Sequence, residues 1–521
     1  MAARPTRLIA VAAGALIALT ACTSAPEPEA SPTPAPSTSA SAPVDLAAFY
    51  NQDVNWKGCD GGFDCATLTV PADYDDPESG TLELEVVRLK AKDPMGSLIL
   101  NPGGPGGSGV DYARAARGVL TKQLADAYDV VGFDPRGVVS STPVDCLDDS
   151  ELDVLFAADG TPDTPQEVAE LAEASTLLGE GCQALSPDIA PYMDTESAAR
   201  DMDILRAVLG DEQLNYLGKS YGTYLGAQYA ELFPDKVGRV VLDGVLPSSL
   251  NSDEITLGQA KSFDMVLRRF VEDCITQEDC PLPRDVDAGV ARIQKFLDDL
   301  DQNPLPGIGD RVLTEALGTY AILSYLYFPP TDWEVLRFGL DAAFQGDGSV
   351  LMDMMDDRTQ RGSDGTYADT SNQAFYAVSC LDRPAVGGSE HATALAEQWA
   401  ADAPVFGPYL AWGNLPCWEW PFGAGTAETA GTPKVITATG SDPILVVSTR
   451  YDPATPYQWG VDVAEQLDNA TLLTLDGDGH TAYTSGSTCI NKAVDAYLIN
   501  GTLPAEGTVC RVDGAGGGTG A

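Results

Sequence analysis

Short apolar runs recur through the first half of the chain and alternate with stretches whose apolar positions return every three or four residues, the rhythm of parallel βαβ units. Leu98 to Leu100 runs into a Gly/Pro loop, and Val130 to Phe133 runs into Asp134-Pro135-Arg136-Gly137. Each strand thus ends in a loop, where α/β sheets place ligands. Thr195 to Leu209 reads as a helix with Ala198, Met202, Leu205 and Val208 on one face, Thr195 and Ser197 at positions suited to capping, and Gly210 as its stop. A strand at Leu214 to Leu217, a Gly-Lys-Ser-Tyr-Gly turn, a helical segment from Tyr224 to Phe233 and a strand at Val240 to Leu242 follow. From about Pro247 to about Thr432 the strand rhythm stops, and helical stretches rich in Leu, Ala, Asp and Trp take over. Ile444 to Val447 and Leu472 to Leu475 resume it and close the sheet with two strands. The pattern predicts an α/β fold with a mostly parallel sheet, built from residues 46–246 and 433–511 around a mainly helical insertion at 247–432, with a compositionally disordered tail at 512–521.

Ahead of that fold the chain reads as an export signal. Arg4 and Arg7 precede an apolar run from Leu8 to Leu19, too short for a mature membrane span and of the length of a signal-peptide core. It ends in Leu19-Thr20-Ala21-Cys22, which resembles a bacterial lipobox; an ordinary secretory signal with an incidental cysteine is the alternative. On the lipobox reading residues 1–21 are removed, and Cys22 carries a lipid that holds the protein to the outer face of the membrane. Residues 22–45 are almost all Ser, Thr, Ala, Pro and Glu, a composition that buries no core and acts as a tether.

Cys22 leaves ten of the eleven cysteines, an even number in an exported chain, so disulfides are expected. Pairing in sequence order joins Cys59 to Cys65, Cys146 to Cys182, Cys274 to Cys280, Cys380 to Cys417 and Cys489 to Cys510. With two histidines, His391 and His480, nitrogen ligands are scarce, and no metal or other cofactor is expected. Acidic residues outnumber basic ones 77 to 30, and the net charge of -47 repels nucleic acid.

Gly218-Lys219-Ser220-Tyr221-Gly222 lies between a strand signal and a helix signal. A nucleophilic serine on a sharp strand-to-helix turn needs neighbours without bulk, and glycines two before and two after supply that. In a chain with 52 glycines a plain Gly/Ser turn is the competing reading, and the context decides. Upstream, Asn101-Pro102-Gly103-Gly104-Pro105-Gly106-Gly107 follows a strand where an oxyanion hole draws one backbone N–H. Gly104 is assigned that donor and Tyr221 the other. Asp452 follows the strand Ile444 to Val447 ahead of a Pro-rich turn, and His480 follows the next strand in Gly-Asp-Gly-His-Thr. The order Ser220, Asp452, His480 is that of the α/β-hydrolase triad. Asp476 and Asp478 are alternative acids on the histidine's own loop, and His391 reads as a surface residue of the insertion.

Taken jointly, Asn101 to Gly107, Gly132-Phe133-Asp134-Pro135-Arg136-Gly137, Gly218 to Gly222 and Gly479-His480-Thr481 resemble the secreted tripeptidyl aminopeptidases of actinobacteria, relatives of the prolyl aminopeptidases, from about Trp56 to Cys510. Pro102 stands where the prolyl relatives carry His, a variant shared by the tripeptidyl branch. The resemblance implies an α/β-hydrolase fold whose insertion caps the site. It also implies peptide hydrolysis from the free amino end, with Ser220 as nucleophile, His480 as general base and Asp452 behind the imidazole. In such enzymes acidic residues on or near the cap hold the substrate ammonium; Asp382, beside Cys380, is the candidate, against a solvated surface aspartate. An esterase or lipase on the same triad is the alternative, because the fold does not dictate the leaving group. A non-catalytic binding protein of this fold requires a missing triad member, and none is missing.

Overall fold

The computed structural model describes residues 46–418, 420–423 and 432–514. Cys22, the signal segment 1–21 and the whole tether at 22–45 lie outside the described residues, as do 424–431 at the end of the insertion and most of the tail.

Among the described residues ten strands form one sheet: β1 Lys57–Gly58, β2 Asp64–Pro71, β3 Thr81–Leu89, β4 Ser97–Asn101, β5 Asp129–Phe133, β6 Leu214–Lys219, β7 Val237–Asp243, β8 Ile444–Tyr451, β9 Ala470–Asp478 and β10 Val509–Arg511. Their spatial order is β1-β2-β3-β5-β4-β6-β7-β8-β9-β10, antiparallel from β1 to β5 and parallel from there on. This is the expected mostly parallel sheet. The alternating antiparallel margin of β2 and β3 and the short closing strand β10 add to the strands read from the apolar runs.

Those runs are continuous because both faces of the central strands are buried. In β4, Ile99 packs into the core on one face while Leu98 and Leu100 pack into the core on the other. Along β8, Ile444 and Val446 point to the first core, Leu445 and Val447 to the second.

After β5 come α1 (Asp149–Ala157) and α2 (Pro165–Leu185), then α3 (Thr195–Leu209), and, after β6, α4 (Tyr221–Leu232). Helix α3 spans the expected residues and ends at Gly210 in the left-handed region. Its cap differs from expectation: Asp194 accepts the Ser197 N–H, because the Thr195 side chain is engaged elsewhere. Helix α4 starts at Tyr221, three residues before its helical apolar pattern becomes visible.

Between β7 and β8 lie α5 (Ser252–Cys274), α6 (Val286–Gln302), α7 (Glu315–Ser324), α8 (Thr331–Phe344), α9 (Ser349–Thr359), α10 (Ser371–Asp382) and α11 (Ser389–Trp399), with one two-residue hairpin, Leu305–Pro306 against Val312–Leu313. Phe263, Phe270, Ile293, Leu297, Ile322 and Trp333 form a core within this insertion, largely separate from those of the sheet. All five expected disulfides are formed, Cys59–Cys65, Cys146–Cys182, Cys274–Cys280, Cys380–Cys417 and Cys489–Cys510, which fits an oxidising compartment. Cys380–Cys417 ties the C-terminal turn of α10 to a short helical turn at Leu415–Cys417.

Candidate active site

At the turn from β6 to α4, Ser220 sits at φ 55° and ψ -126°, a conformation that costs a non-glycine residue about 1–3 kcal/mol and persists only where neighbours enforce it. They do so by packing without room for side chains. A Cβ on Gly218 would lie 2.3 Å from the Gly222 carbonyl oxygen, and one on Gly222 would lie 2.6 Å from Asn101 Oδ1. The Ser220 N–H donates to the Asp243 carbonyl at 3.0 Å, and Thr223 Oγ1 donates to the Ser220 carbonyl at 2.6 Å.

The Gly/Pro loop after β4 lies against this turn. A Cβ on Gly103 would meet Ser220 Cβ at 2.8 Å and the Tyr221 nitrogen at 3.0 Å. Asn101 Oδ1 accepts the Gly103 N–H at 2.9 Å, and the Gly107 N–H closes the loop onto the Gly103 carbonyl at 3.1 Å. The N–H groups of Gly104 and Tyr221 have no hydrogen-bond partner among the described residues, and both residues line the same cavity.

Asp452 follows β8 and is fully buried. Its Oδ1 accepts the N–H groups of Ala454 at 2.9 Å and Thr455 at 2.8 Å, and its Oδ2 that of Thr481 at 3.1 Å. These bonds aim the carboxylate at His480 Nδ1, 2.9 and 3.0 Å from its two oxygens. A carboxylate can only accept, so Nδ1 carries the proton in this pair. The His480 N–H donates to the Tyr327 carbonyl at 2.8 Å, and the Tyr327 ring meets the imidazole edge-on at 5.3 Å, so the insertion also holds this loop. Ser220 and His480 sit on neighbouring loops. The serine N–H is held by Asp243, and a Cβ on the next residue, Gly244, would lie 3.5 Å from His480 Cε1. No hydrogen bond joins the Ser220 hydroxyl to the imidazole among the described residues; such bonds often tighten only around substrate.

The other acids and the second histidine are engaged elsewhere. Asp478 pairs with Arg269 at 2.8 Å, Asp476 with Arg450 and Arg511 at 3.3 Å, and His391 with Asp253 on α5 at 2.8 Å. Arg136, from the Asp-Pro-Arg-Gly segment, is fully buried in a two-pronged pair with Asp201 at 2.7 and 2.8 Å and serves the scaffold.

A cavity of about 330 Å³ opens from Gly104 and Tyr221 and runs under the insertion. Its walls include Leu155, Phe156, Leu171 and Ser175, so α1 and α2 cover the site together with the insertion, a contribution absent from the apolar pattern. Tyr320, Tyr376 and Tyr409 line it as well, and their hydroxyls make no hydrogen bond among the described residues. Asp382 is on the wall too. Its Oδ1 accepts the Thr195 N–H at 2.8 Å and its Oδ2 the Thr195 hydroxyl at 2.5 Å, while the Tyr221 hydroxyl bonds to Thr195 Oγ1 at 2.5 Å. Burial pushes the Asp382 carboxyl up to about 7, against the opposing pull of the Thr195 bonds.

The structure brings the expected Asp452 and His480 together beside the Ser220 turn, and it adds Asp243, Tyr327 and three cavity tyrosines, to which the sequence pattern gave no role. Asp243 stands at the end of a buried apolar strand and Lys219 inside the Gly218 to Gly222 motif, both local signals; Tyr327 and the cavity tyrosines carry none.

Residues 403–510 match the family described as TAP-like protein, and residues 96–335 match the alpha/beta hydrolase fold family. The serine protease Hip1 of Mycobacterium tuberculosis is 34% identical over 88% of this chain and 91% of its own. Carboxylesterase B of the same organism is 34% identical over 86% of each chain. The tripeptidyl aminopeptidase of Streptomyces lividans is 30% identical over 90% of this chain and 88% of its own.

Proposed function

This chain belongs to the TAP-like family of α/β-hydrolases, and from that premise we propose that it is a serine exopeptidase, releasing short peptides from the free N-terminus of its substrate through an acyl-enzyme on Ser220. The observation that carries the reading is the buried Asp452–His480 pair beside the strained Ser220 turn.

In this mechanism the Ser220 hydroxyl turns toward His480 Nε2, gives up its proton and attacks the scissile carbonyl. The N–H groups of Gly104 and Tyr221 receive the oxyanion; they are preorganised by the glycine loop and the helix start, so stabilising the charge requires little rearrangement. His480 passes its proton to the leaving amine, and water then releases the peptide by the reverse sequence. Asp452 fixes the ring and stabilises the imidazolium.

The insertion, with α1 and α2, acts as a cap that admits chain ends. The three tyrosines on the cavity wall supply hydroxyls suited to the amide groups of a short peptide. Asp382, on the cavity wall with both oxygens bonded to Thr195, is proposed as a receptor for the substrate ammonium. Esterase activity remains the second reading, favoured by the likeness to carboxylesterase B. At the N-terminus, lipidation of Cys22 after loss of residues 1–21 is proposed to anchor the protein outside the membrane, with 22–45 as tether.

Kinetics on matched substrates test the reading. A tripeptidyl amide is expected to turn over only with its amine free, and faster than a simple acyl ester; equal cleavage of the N-acetylated peptide sinks the exopeptidase assignment.

A further inference from the structure

Ser220 and His480 reach the site from strands that are not neighbours, β6 and β9, with β7 and β8 between them. The end of β7 bridges that gap. The Asp243 carbonyl accepts the Ser220 N–H at 3.0 Å, while its side chain accepts the N–H groups of Ala482 and Tyr483, both at 2.9 Å, just beyond His480. Lys219, immediately before the serine, sends its ammonium to the Tyr483 carbonyl at 2.8 Å and lies 3.9 Å from Asp243. The histidine loop is therefore gripped at consecutive residues: Thr481 by Asp452, Ala482 by Asp243, and Tyr483 by Asp243 and Lys219. Asp243 is fully buried and the Lys219 side chain nearly so, a costly location for two charges that core packing alone does not call for.

We propose that Asp243 and Lys219 are positioning residues that set the spacing between the Ser220 hydroxyl and the His480 imidazole. The inference rests on the serine-hydrolase reading above. Neither side chain reaches the reacting atoms; both act through the backbone of the loops that carry them. A displacement of about 1 Å between reacting groups costs on the order of 100-fold in rate, so the effect belongs in kcat.

The test is steady-state kinetics on a tripeptidyl amide, with thermal melting as the control for folding. Lys219→Met is expected to lower kcat about 10-fold with KM within about 2-fold and the melting transition intact, and Asp243→Asn, which keeps one acceptor but turns an amide N–H toward the other donor, is expected to lower it about 100-fold. Lys219→Arg, which restores the donor, should recover most of the loss. If Asp243→Asn fails to fold, the two lysine variants carry the test. The proposal is overturned if Lys219→Met keeps kcat within about 2-fold of wild type, or if its loss merely tracks the unfolded fraction. Ser220→Ala, assayed in parallel, separates the two claims: residual turnover in that variant refutes the serine reading, whereas a dead Ser220→Ala beside a fully active Lys219→Met refutes only the positioning role.

Discussion

At Ser220 the backbone is held in a conformation that its own residue type disfavours, and the strain is maintained by glycines whose missing side chains are filled by neighbouring backbone. The turn is thus shaped by its neighbours, and so is the setting of the His480 imidazole. Asp452→Asn keeps an acceptor for some of the N–H groups around it but loses the charge behind His480; kcat on a peptide amide should fall by about 10⁴-fold with little change in KM. A pH series tests Asp382. Its carboxyl, pushed up to about 7, becomes neutral as pH falls through that value and ceases to attract an ammonium group. KM for free-amine peptides should therefore rise from pH 8 to pH 6, and Asp382→Asn should abolish that rise; a slope unchanged in Asp382→Asn removes this residue from amine recognition.

At the level of elements, α10, one wall of the cavity, is held by a crosslink. Cys380–Cys417 closes a loop with a sequence separation of 37, and removing both cysteines as Ala should cost roughly 3–4 kcal/mol, seen as a lower melting temperature under non-reducing conditions. Helix α7 carries the opposite liability. Glu315 is buried at its start, Oε1 accepting from Thr319 at 2.9 Å and Oε2 unpartnered, and burial, with Asp159, Asp301 and Asp298 nearby, pushes its carboxyl up to about 7. Between about pH 4.5 and 7 the folded chain keeps a proton that the unfolded chain has released, so this group's effect on stability worsens as pH rises across that window. Glu315→Gln should accordingly match wild type near pH 5 and exceed it at pH 8 by roughly 2–3 kcal/mol, read from melting at the two pH values.

Over the whole molecule the dominant quantity is the net charge of -47. Self-repulsion of this size opposes compaction, so the melting temperature should climb as salt is raised from about 0.01 M to about 1 M, over which the screening length contracts from roughly 30 Å to roughly 3 Å; a flat response shows that the acidic side chains are already neutralised by pairing. Much of the architecture was legible in the sequence because its signals are local. A strand buried on both faces must be apolar throughout, so β4 to β9 announce themselves, and a strained turn admits only small neighbours, so Ser220 does too. The disulfides followed their order along the chain. The Asp194 cap, the helices α1 and α2 in the cavity wall, the ring of Tyr327 against His480 and the double grip of Asp243 and Lys219 left no local mark that was read. Residues distant in the chain supply each partner, and a polar side chain looks the same in sequence whether it faces water or a loop 240 residues away. The chain by itself determined the central parallel strands and the tight turn at Ser220, because periodicity and steric fit act between near neighbours. Tertiary structure alone decided which charges are buried and what holds the imidazole beside the hydroxyl, because desolvation and hydrogen-bond geometry exist only once the strands are side by side.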